Sequence, residues 1–204
     1  VVGATSSVVR MIGPLFAYKS ELSTTQTGVF LALFVVGGAT AQMPFGFLTE
    51  RYSSRQMLAT LSLLAVISSL AFRFFGDVTI LGIPSLFILV FIFGASTMPL
   101  YSLCATHANN LTTVQDMTAL SASLIFFFAG GAIISPILAA ELIDQFGPNA
   151  MFSYFAGLHG LLLLYTLYRA RIRPNVPTTK AYMYIPRTTL FIAKTIRTLR
   201  SRKH

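Results

Sequence analysis

Apolar runs of about twenty residues recur along the chain, set apart by short polar breaks. The first covers residues 1–18, ends at Pro14-Leu-Phe-Ala-Tyr18 and gives way to a polar stretch from Lys19 to Thr27. A second spans 28–47 and carries Gly37, Gly38, Gln42 and Pro44; a third spans 56–75, is rich in Leu and Ser, and closes at Arg73 and Asp77. The fourth, 79–104, contains Gly94, Pro99 and Tyr101 and is followed by a polar link from Thr106 to Asp116. The fifth, 117–140, contains Gly130, Gly131, Ser135 and Pro136, and the sixth covers 150–168. Each run approaches the ~20 residues that a helix needs to cross a hydrocarbon core of about 30 Å. None shows the in-out alternation of a membrane barrel strand. The pattern predicts an all-α membrane protein: a six-transmembrane-helix bundle over residues 1–175 and a basic tail over 176–204.

Composition agrees. Of 204 residues, 54% are hydrophobic and 10% charged, against roughly 25% charged in soluble domains, and the mean hydropathy is +0.71. Cys104 is the single cysteine, which excludes an internal disulfide and a cysteine-built metal site. The sequence shows no phosphate-cradling glycine loop, no metal-ligand cluster and no nucleophile with a base at useful spacing, so neither an enzyme nor a cofactor is expected. Val1 already lies within an apolar run, without the charged start and small-residue cleavage site of a signal peptide; it reads as a helix entered partway.

Charge sets an orientation. The breaks after spans one, three and five hold Lys19 and Arg73 against Glu21, Asp77, Glu141 and Asp144. The opposite side holds Arg51, Arg55 and a tail in which Arg169, Arg171, Arg173, Lys180, Arg187, Lys194, Arg197, Arg200, Arg202 and Lys203 meet no acid. Basic loops stay inside, so the C-terminus and the break after span two are expected to be cytoplasmic. The net charge of +9 resides almost wholly in that tail and does not indicate nucleic-acid binding. Within the tail, Ile192, Ile196 and Leu199 share one helical face and Lys194 and Arg197 the other, which fits either an interfacial helix on anionic lipid or a disordered basic segment.

The break after span two reads Gly46-Phe-Leu-Thr-Glu-Arg-Tyr-Ser-Ser-Arg55. It resembles the loop signature of the major facilitator superfamily of transporters, Gly-x-x-x-Asp-Arg-x-Gly-Arg-Arg/Lys. Gly46, Arg51 and Arg55 match, Glu50 stands for the Asp, Ser53 replaces the second Gly and Ser54 the first paired base. The family carries this signature between the second and third helices of each six-helix half, on the cytoplasmic side. Thr97-Met-Pro-Leu-Tyr-Ser-Leu103 with His107-Ala-Asn-Asn110, and Gly130-Gly-Ala-Ile-Ile-Ser-Pro136, resemble segments from the C-terminal half of bacterial members. The resemblance implies helices seven to twelve of a twelve-helix transporter in a bacterial inner membrane that moves a small molecule by alternating access. Its partners would be the lipid bilayer and an N-terminal six-helix half, in the same or another chain. A six-span scaffold that binds a partner through its basic tail, and a half-size transporter acting as a homodimer, are the competing readings.

Several polar residues stand inside the apolar runs. Arg10 either faces a water-filled cavity, where it would bind an anionic group or pair with an acid of the other half, or snorkels to an interface. By resemblance the family's seventh helix lines the cavity. Gln42 is the one amide of its span and serves either substrate or helix packing. Tyr101 is a further cavity candidate. His107 and His159 titrate near neutrality when unperturbed and are candidate proton carriers; the competing readings are a loop residue for His107 and a packing residue for His159. Glu50, Arg51 and Arg55 would form a charged latch. The 18 Phe residues suggest apolar contacts with a substrate.

Overall fold

The computed structural model describes residues 1–76, 78–80, 82–110 and 112–172, and the backbone alone at 50, 110 and 114. The expectations for the tail beyond Ile172, for Asp77 and for the Glu50 side chain fall outside the described residues. Helix α1 (Val2–Met11) is followed after Ile12 by α2 (Gly13–Lys19). Then come α3 (Thr24–Arg51), α4 (Ser54–Phe75), a two-residue ladder of β1 (Thr79–Ile80) and β2 (Ile83–Pro84), α5 (Ser85–Thr97), α6 (Pro99–Asn110), α7 (Met117–Phe146) and α8 (Ala150–Ile172).

Among the described residues, five stretches are long and apolar enough to cross a membrane: Thr24–Thr49, Ser54–Phe75, Ser85–Asn109, Met117–Phe146 and Ala150–Ile172. The first run is instead broken at Ile12, where Pro14 opens the second piece. Proline lacks the N–H that an interior turn must donate but is accepted in a first turn.

Helix ends explain where the sequence bounds were too narrow. Ser23 caps α3: its Oγ accepts from the Gln26 N–H at 3.2 Å, while Gln26 Oε1 accepts from the Ser23 N–H at 2.9 Å. Such a reciprocal box satisfies two donors that a helix start leaves open, so α3 begins at Thr24, four residues before the apolar run. At the other end of the fifth span, α7 continues to Phe146 and stops at Gly147, whose φ of 85° favours glycine. The fourth span begins later than expected. Thr79–Ile80 pairs with Ile83–Pro84, and the Ser85 hydroxyl donates to the carbonyl of Phe75, tying α5 to the end of α4.

Packing follows membrane rules. Between helices in lipid there is no water to expel, so close backbone approach through small residues carries association. Helices α3 and α5 meet in this way. A Cβ on Gly37 would collide with the carbonyl of Phe91, and one on Gly94 with the carbonyl of Phe34. Helices α1 and α7 repeat the contact: a Cβ on Gly3 would strike the carbonyl of Phe128, and Gly131 lies against Ala4. One step, Phe-x-x-Gly at Phe34–Gly37, Phe91–Gly94 and Phe128–Gly131, thus serves both crossings. The third close pair, α4 with α8, is cemented by Phe72 stacked on Phe152 at 3.7 Å. Helix α8 is also held to α7, where Tyr154 Oη donates to Ser135 Oγ at 2.8 Å.

The core lies in two parts. One is an aromatic spine of Phe16, Phe30, Phe34, Phe72, Phe93, Phe152 and Phe155, with Val8, Val9 and Ile143 around it. The other is an aliphatic cluster of Met57, Leu58, Leu61, Leu100 and Leu103. Many phenylalanines expected to meet substrate are therefore spent on holding helices together. At the ends of the bundle, Lys19 Nζ pairs with Asp144 Oδ1 at 2.5 Å, so the ends of the first and fifth spans share one face. Arg55, His107 and Arg169 gather at the other.

Candidate functional site

Helices α1, α3, α6 and α7 converge on an open groove of about 350 Å³. Val2 and Ser6 come from α1, Gln42 from α3, Met98, Tyr101 and Ser102 from the α5–α6 junction and α6, and Ile125 and Phe128 from α7. The Tyr101 ring stands edge-on to Phe128 with centroids 5.6 Å apart, forming an aromatic wall. The Met98 side chain lies against Gly38, where a Cβ would displace it. A smaller recess of about 150 Å³ continues between α3 and α6 and shares Gln42 and Ser102 with the groove. Its other walls are Phe45, Gly46, Thr49, Pro99, Leu103 and Thr106. The groove offers two hydroxyls, a phenol and an amide against apolar walls, and carries no charged side chain of its own.

Of the cavity candidates, Gln42 and Tyr101 are brought together here. Arg10 does not line the groove but stands on the same stripe of α1: Val2, Ser6 and Arg10 are four residues apart in turn and so fall on one helix face. It is exposed and sits in the last turn of α1, where the span breaks. Among the described residues it makes no hydrogen bond or ion pair. The helix breaks just beyond it, at Ile12, where Pro14 takes a first-turn position of α2.

The histidines are elsewhere. His159 is fully buried in α8, with Nδ1 3.0 Å from the Phe155 carbonyl oxygen and its ring edge-on to Phe93 at 5.8 Å. Its Nε2 has no hydrogen-bond partner among the described residues. His107 is half-buried in the last turn of α6, a helical position rather than the loop expected, because α6 runs on through residue 110. Neither lines the groove.

The charged signature is also mostly helical. Gly46 and Arg51 lie within α3, and only Tyr52 and Ser53 separate it from α4. Ser53, the departure from the family's glycine, caps α4. Its Oγ accepts from the Gln56 N–H at 3.3 Å and Gln56 Oε1 accepts from the Ser53 N–H at 3.2 Å. Ser54 is buried as the first residue of that helix. Arg51 is exposed and Arg55 half-buried.

Sequence reasoning missed Ser6, Met98, Ser102, Ile125 and Phe128. For Ser6 a signal existed, four residues before Arg10 on the same face. Ile125 and Phe128 resemble any apolar helix residue, and their place follows from the α1–α7 crossing alone.

Taken together, these features define an all-α integral membrane bundle with a mixed polar and aromatic groove on one side. The profile of the Major Facilitator Superfamily matches residues 1–203, and the chain belongs to that family. Its curated relatives include an uncharacterised MFS-type transporter of Yersinia pestis (strain Pestoides F), 25% identical over 154 residues that cover 76% of this chain and 38% of the relative. One from Yersinia enterocolitica is 25% identical over 164 residues, covering 80% and 41%. Another, from Enterobacter sp. (strain 638), is 24% identical over 162 residues, covering 79% and 40%. The chain thus spans less than half the length of these relatives. No solved structure matches it.

Proposed function

We propose that this chain is the C-terminal six-helix half, helices seven to twelve, of a secondary transporter that moves a small solute by alternating access. The observation that carries the reading is the groove: it is open along one side and is built from α1, α3, α6 and α7. A transporter of this kind places its substrate near the midplane between two such halves, so an open half-site is what one half should present. Family membership and relatives of more than twice the aligned length support the same conclusion. Gln42, Tyr101 and Arg10 are the substrate-facing residues in this reading. Glu50, Arg51 and Arg55 act as a cytoplasmic latch between the ends of α3 and α4, biasing one conformation.

The experiment is flux into liposomes containing the chain together with its companion half. Uptake that saturates, with conformation-dependent labelling of Cys104, is expected. Arg51→Ala should lower uptake far more than membrane content. Absence of flux with unchanged Cys104 labelling would leave a membrane scaffold as the better description.

A further inference from the structure

Arg10 has a problem that the groove solves. The chain has six carboxylates, Glu21, Glu50, Asp77, Asp116, Glu141 and Asp144, and all of them stand at the ends of the apolar runs. Asp144 is already paired with Lys19, which stands at the end of α2, beyond the break at Ile12. Arg10 is exposed in the last turn of α1, within an apolar run, and a guanidinium in such surroundings is stabilised by facing water, a partner or a ligand. The face it occupies is the one that brings Val2 and Ser6 into the groove. Cα–Cβ bonds in a helix tilt toward its N-terminus, so a long side chain at Arg10 covers the turn that holds Ser6, about 6 Å away along the axis.

From this placement we propose that the groove binds an amphipathic organic anion: a carboxylate held by Arg10 on an apolar, ring-sized body lying against Tyr101 and Phe128. Ser6 donates a further hydrogen bond to the anionic group, and the Gln42 amide orients the body from α3. The groove has no charge of its own and mostly apolar walls, which suits the body of such a ligand. Its volume, about 350 Å³, falls in the range of small-molecule sites, roughly 300–1,000 Å³. Guanidinium matches a carboxylate with two parallel donors, which an ammonium cannot do. This inference rests on the transport reading for the second wall of the site and on this chain for its chemistry.

The test compares 2-naphthoate with its neutral isostere 2-naphthamide, by equilibrium binding to the purified two-half protein in detergent. Saturable naphthoate binding at least tenfold tighter than naphthamide is expected. Arg10→Gln should remove that preference by weakening naphthoate alone, Arg10→Lys should restore part of it, and Tyr101→Ala should weaken both ligands alike. Melting temperatures of the unliganded variants report on folding, and the wild-type comparison needs no variant at all. Equal affinity for the two ligands, no naphthoate binding at millimolar concentration, or a preference that survives Arg10→Gln would each overturn the proposal and assign Arg10 to an acid of the companion half or to an interface. Binding needs no flux. Charge-selective binding without transport would sink the transport reading and leave the site standing; transport without charge selectivity would do the reverse.

Discussion

Gly94 of α5 lies so close to the backbone of α3 that a single Cβ would run into the carbonyl oxygen of Phe34, and Gly37 stands in the same relation to Phe91. The two glycines make one contact twice. Because the obstacle is backbone rather than the tip of a flexible side chain, the helices must part to admit a methyl group. Gly94→Ala should therefore cost about 2–3 kcal/mol, the upper range for overpacking, and Gly94→Leu should prevent accumulation of folded protein. Gly28→Ala is the control, since nothing stands within 4 Å of a Cβ there and alanine suits a helix better than glycine by about 0.5–1 kcal/mol. Melting of the purified variants decides it: equal melting temperatures for Gly94→Ala and Gly28→Ala would refute the close crossing.

Ser53 offers a sharper contrast. Its hydroxyl caps α4, so Ser53→Ala should lower stability by about 1 kcal/mol, whereas Ser53→Gly, which returns the position to the family's usual residue, should cost only a few tenths. Thermal denaturation of both variants checks the order. Identical losses would mean that the hydroxyl contributes nothing and that the departure from the signature has another cause.

The ion pair between Lys19 and Asp144 joins the ends of α2 and α7, with the Asp side chain 64% exposed. Exposure and salt limit such pairs to about 0–1 kcal/mol. Lys19→Ala and Asp144→Ala should each be mild, and a double-mutant cycle should give a coupling below about 1 kcal/mol that shrinks at high salt. A coupling of several kcal/mol, insensitive to salt, would show that the pair is desolvated in the assembled protein.

Orientation is tested separately. A reporter fused after His204 should read as cytoplasmic and one inserted beside Asp144 as external, because basic segments are retained inside. Reversed labelling would refute the charge argument without touching the packing.

The sequence by itself determined the class. Long apolar runs with few charges admit helices in a bilayer and little else, and Gly46, Arg51 and Arg55 stood at their family spacing. It also exposed Arg10, Gln42 and Tyr101, since polar groups in apolar runs are conspicuous one at a time. Helix ends were less legible. Ser23-x-x-Gln26 and Ser53-x-x-Gln56 lengthened α3 and shortened the turn before α4 through capping, a local chemistry that hydropathy does not see. The tertiary structure alone decided what meets what. Phe16, Phe72 and Phe152 were drawn into the core while Phe128 stayed in the groove, although all are equally apolar. Which phenylalanine is which depends on the crossings set by Gly3, Gly37, Gly94 and Gly131, where backbones approach because side chains are missing. A helix period assigns residues to a face, but only the neighbour that packs against that face makes it core, groove or lipid surface.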